Sequence, residues 1–180
     1  MAEIKSTLDL VMERTKHLSL SEEEKDAQKT EESKKAIRGI LQRYLDQSLT
    51  KEEMLESLNR LSDTSEIDRN PLVIEDIAGR VTLTGNNRPL FELLSSEYGM
   101  DVSAMESAVK GYRDAARALM KQKKETARDK LSADHRISGT AVLPNLEADP
   151  SWAEDGQRLG EQFGRKLAET RSAFIRGSNA

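Results

Sequence analysis

The chain has no cysteine, so neither a disulfide framework nor a cysteine-ligated metal site is available to it. Aromatic residues make up 4% of its 180 residues, too few for a platform of stacked rings that binds single-stranded nucleic acid. There is no run of roughly 18 apolar residues, so no membrane span is expected. The first twenty residues carry charge at Glu3, Lys5, Asp9, Glu13, Arg14 and Lys16. These charges leave no room for the apolar core of a signal peptide, and the acids argue against a transit peptide. A cytoplasmic location is the expectation.

The signatures of common active sites are missing too. The sequence holds no GxxxxGK[ST] phosphate loop, no GxSxG elbow, no HExxH and no acidic calcium loop. Its two histidines, His17 and His135, lie among charged neighbours without converging ligands. No catalytic residue, cofactor or metal is therefore assigned.

What is present is charge and helical periodicity. One third of the residues are charged and only 36% are hydrophobic, a mixture that favours long solvated helices over a thick core. The net charge of −4 is unevenly spread: residues 1–70 hold 12 bases and 16 acids, whereas residues 103–143 hold 9 and 5. The N-terminal part is acidic, and one later stretch is basic.

The fold class expected is mainly α, an elongated multi-helix arrangement with an N-terminal helical hairpin. Residues 3–18 have amphipathic spacing. Ser21 with Glu24 forms a capping box that opens a helix to about residue 48, although residues 21–34 offer almost nothing to bury. Disorder over 21–34 is the competing expectation. Thr50 with Glu53 opens the second arm, to about residue 61. A polar linker, "SDTSEIDRNP", then separates an acidic region, 1–69, from a C-terminal helical domain, 70–180, unless the two form one domain.

In the second region, short helices are expected over 71–79 and from Pro89 to Gly99. Ser103 and Glu106 suggest a third capping box, opening a long helix to about residue 133. Asp149 and Pro150 have the pattern of an N-cap and first turn for the last helix. Residues 81–84 alternate apolar and polar, so a minor two-stranded ribbon with 140–143 is an additional expectation.

Two groups of residues are candidates for contact. In the last helix, Gly156, Gly160 and Gly164 stand four residues apart and cost the helix roughly 3 kcal/mol relative to alanine. They lie on or beside the stripe formed by Trp152, Leu159, Phe163 and Leu167, where small residues let another helix approach. The 103–120 helix, the same helix in a second copy, and a partner peptide are the visitors considered. The second group is the basic run Lys121, Lys123, Lys124, Arg128 and Lys130, which can neutralise phosphates without reading sequence. Glu125 and Asp129 interrupt it at i,i+4 spacing.

Three functions follow as expectations. The first is a non-catalytic helical interaction protein, an adaptor or chaperone-like module that self-associates or binds a protein partner. The second is an RNA- or ribosome-associated factor using residues 121–130. The third is an enzyme with a carboxylate-lined site. Neither pathway, partner identity nor oligomer number follows from the sequence.

Overall fold

The computed structural model describes residues 21–62 and 68–178; the amphipathic segment expected at 3–18 lies outside them. Among the described residues six α-helices form: α1 (Glu22–Leu45), α2 (Lys51–Ser62), α3 (Asn70–Gly79), α4 (Arg88–Ser96), α5 (Ser103–His135) and α6 (Pro150–Ser178). A short 3₁₀ turn, Leu146–Ala148, precedes the last. The protein is mainly helical, and no strand occurs among the described residues. The chain divides into two compact units, Met1–Val73 and Ile74–Ala180, with the boundary inside α3.

In the first unit, α1 and α2 pack as a hairpin. The reciprocal bonds of the Ser21–Glu24 box are both made, at 2.8 and 3.2 Å. Thr50 and Glu53 repeat them at 2.8 and 3.2 Å. Residues 22–34 are helical although none of them is buried. The box and three glutamates in the first turn, which meet the positive end of the helix dipole, offset the missing packing. Among the described residues of this unit, the buried apolar ones are Ile37, Leu41, Met54, Leu58 and Val73.

The second unit buries Ile74, Ile77, Ala78 and Val81 with Leu90, Phe91, Leu93 and Leu94 of α4. Met105, Ala108 and Val109 of α5 and Leu167 of α6 complete this core. Gly99 ends the α4 region with a φ of +63°, as a glycine past a helix end allows. The start of α5 differs from expectation. In place of a Ser103–Glu106 box, Val102 is the N-cap with no side-chain cap bond, and Asp101, just before it, accepts from the Ser103 amide through Oδ1 at 2.9 Å.

Residues 81–84 form a loop rather than a strand, because Asn87 takes the backbone groups a ribbon would need. Its buried side chain accepts from the Thr82 amide at 3.1 Å and donates to the Thr82 carbonyl at 2.6 Å. On the other would-be strand, Arg128 donates to the Val142 carbonyl at 3.2 Å. The 81–87 loop is also closed by Thr82, whose hydroxyl accepts from the Gly85 amide at 3.0 Å. A Cβ at Gly85 would lie too close to that hydroxyl for both to stay. Gly85→Ala should therefore destabilise the second unit by about 1–3 kcal/mol, read as a lower urea midpoint.

Candidate interaction surface

The helices α5 and α6 form an antiparallel hairpin, the most extensive helix pairing among the described residues. At 33 residues, α5 is about 50 Å long. Gly111 lies against Phe163, and Lys123 bonds Ser151, twelve residues along α5 and twelve back along α6. That constant offset is the register of a straight antiparallel pair. It spans about 18 Å between the two contacts.

The first contact is aromatic. The rings of Tyr112 and Phe163 meet edge to face at 5.9 Å and 68°. Gly111 makes room for them, since a Cβ there would come within 3.1 Å of Phe163 Cε1.

The second contact is ionic. Lys123 Nζ donates to Ser151 Oγ and lies 2.6 Å from Asp155 Oδ2 and 3.5 Å from Asp149 Oδ2. Only 16% of its side chain is exposed. The Ser151 amide and hydroxyl both donate to Asp149 Oδ1, at 3.0 and 2.8 Å, so this aspartate also caps the start of α6. Arg158 contacts the other carboxylate oxygen of Asp155. The hydrogen bond from Lys123 holds the Asp155 carboxyl below the usual range, and the bonds from Ser151 do the same for Asp149. Asp155 in turn raises the Lys123 ammonium above its ordinary value.

A serine touching a lysine has the geometry of a nucleophile and its base, but the base must be a neutral amine. Here the aspartates keep the amine protonated, and the serine hydroxyl is engaged with Asp149. The cluster works as a clasp between α5 and the start of α6. Because Asp149 and Asp155 have lowered values, their contribution is present above roughly pH 4 and is lost as pH falls through the lowered values. The Lys123 contribution has the opposite sense: it is present below the ordinary lysine value and lost as pH rises through the raised one. Lys123→Met should lower the urea midpoint at pH 7 and flatten both limbs of the wild-type pH profile.

Between the contacts and beyond them, the hairpin is only half covered. No residue of α5 after Val109 is buried, and Leu167 is the only buried residue of α6. Ala115, Ala116, Leu119, Ala127 and Leu131 of α5 are half-buried, as are Trp152, Leu159 and Phe163 of α6. Met120 beside this seam is 42% exposed. Gly156, Gly160 and Gly164 are half-buried as well, and a Cβ built at any of them meets no atom within 4 Å. The small residue that seats a neighbour inside the chain is instead Gly111, which stands outside the glycine row.

The basic run is partly engaged within the chain. Lys123 belongs to the clasp, Arg128 reaches the Val142 carbonyl, and Lys121 faces Glu125 at 4.0 Å. Lys121, Lys124, Arg128 and Lys130 are all exposed. On the opposite end of α5 a groove of about 760 Å³ runs along α4, walled by Arg88, Phe91, Glu92, Glu106 and Lys110 among others. Its charges are of both signs, and Arg88 pairs with Glu92 at 2.7 Å. Among the described residues no three histidines, aspartates or glutamates are grouped to hold a metal ion, and no helix is long and apolar enough to cross a membrane.

The class these features define is a mainly helical protein whose longest helices form a clasped antiparallel hairpin. No protein-family model, curated protein or solved structure matches the chain.

Proposed function

We propose that this protein is a non-catalytic, cytoplasmic interaction module that self-associates through the α5–α6 hairpin. The observation that carries this reading is the half-covered seam: 26 residues of α5 and 29 of α6 that together bury one side chain. Apolar helical stripes gain stability by packing in layers, and two helices alone cover each other on one side only. The occupant that suits such a layer is an identical one. Two hairpins related by a two-fold axis bring the same stripe of alanines, leucines and aromatics together, in the manner of a four-helix bundle.

Support also comes from the bonds the hairpin already makes. Lys123 and Arg128 are engaged within the chain, which leaves residues 121–130 a poorer phosphate-binding face than their composition suggests. Sedimentation equilibrium of the whole chain should show a dimer at micromolar concentration. A monomer that instead recovers a different protein, or binds RNA at low salt, would replace self-association with that role.

A further inference from the structure

Arg69, the residue before α3, is 5% exposed. Its Nη1 donates to the Leu58 carbonyl at 3.2 Å, in the last turns of α2, where the negative end of the helix dipole attracts a cation. Its Nε and Nη2 have no hydrogen-bond partner, and no ion pair among the described residues includes it. A guanidinium enclosed in this way is costly unless an anion or further hydrogen bonds satisfy it.

Which nitrogens are left over matters. Nε–H and one Nη2–H point in parallel along the same edge of the guanidinium, the edge that grips two oxygens of one carboxylate or phosphate. The bond to Leu58 uses the opposite nitrogen and leaves that edge whole. The nearest acid in the described sequence, Asp68, is engaged elsewhere: its Oδ1 accepts from the Asn70 amide at 3.1 Å, capping α3. The start of α3 contributes the positive end of a second dipole.

We propose that Arg69 is an oxyanion-binding position, its Nε/Nη2 edge taking a carboxylate or phosphate side-on. The anion reaches it by local opening of the residues that enclose it. This position lies in the first unit and is independent of the hairpin seam.

The test is thermal unfolding of the full chain at constant ionic strength, with chloride replaced stepwise by inorganic phosphate in one series and by acetate in another. The wild type should show a saturable rise in Tm of roughly 4–8 °C in at least one series. Arg69→Met should be flat in both, and should unfold at a higher temperature than wild type in chloride, because an apolar side chain of similar length removes the unpaired charge. Arg69→Lys, which keeps the charge but not the edge, should respond weakly. Parallel rises in wild type and Arg69→Met would mean a general effect of the salts on burial and would overturn the proposal. So would a wild type that responds to neither anion. An Arg69→Met variant that is less stable than wild type in chloride, or does not fold, would show the guanidinium already satisfied within the chain and would equally overturn it.

Discussion

Alanine at Gly156, Gly160 and Gly164 together is expected to make the isolated chain more stable by about 3 kcal/mol and its self-association weaker. The first half follows from helix propensity, about 1 kcal/mol for each glycine replaced in a helix interior. Nothing among the described residues opposes that gain, since the added methyl groups meet no atom of theirs within 4 Å. The second half follows from the proposed dimer. If a second hairpin lies over α6, three methyl groups intrude where backbones approach. Overpacking on that scale costs about 1–3 kcal/mol, a loss of roughly 5- to 150-fold in affinity. Denaturation at concentrations low enough to hold the chain monomeric reads the first effect, and a dilution series reads the second. Gly111 provides the contrast. A leucine there has to displace the Phe163 ring, so the monomer itself should lose stability.

Leu167→Ala is expected to cost about 2–5 kcal/mol, the range for emptying a buried leucine site. The side chain is 5% exposed and is the one point at which α6 enters the core of the second unit. Losing it should free the far half of α6 as well as leave a cavity, because the remaining apolar residues of that helix are only half covered. Leu131→Ala, near the tip of the hairpin and half-buried, should cost much less. Amide exchange should show the same gradient, with stronger protection around Met105–Val109 and Leu167 than from Ala127 to His135. A lowered urea midpoint for Leu167→Ala and near-normal unfolding for Leu131→Ala would establish the order.

Much of this architecture was legible in the sequence because its signals are local. Capping boxes at Ser21 and Thr50, the helix stop at Gly99 and the Asp149–Pro150 start each depend on residues a few positions apart. The helical state of residues 22–34 follows from the same kind of signal, with the cap outweighing the lack of anything to bury. The failures came where a distant or competing partner decides. Residues 81–84 alternate like a strand, but Asn87 supplies the hydrogen bonds and makes them a loop. Ser103 looks like a cap until Asp101 is seen to reach its amide.

The surface was less legible than the helices. Lys123 reads as one base in a basic run, and only the antiparallel register brings it to Asp155, Ser151 and Asp149. Gly111 gave a faint signal, a small residue in line with Ala108 and Ala115, but its use depends on Phe163 lying opposite. The enclosure of Arg69 could not be read at all. Arginine after a polar linker is ordinarily solvated, and its burial depends on how α2 and the start of α3 come together.

Self-association through the hairpin seam is the central claim, and sedimentation equilibrium of the wild-type chain beside the triple alanine variant tests it most directly. The account predicts a wild-type dimer at micromolar concentration and a variant that is more stable as a monomer but dimerises more weakly. A wild type that stays monomeric at every concentration, or a variant that assembles as well as wild type, would contradict it.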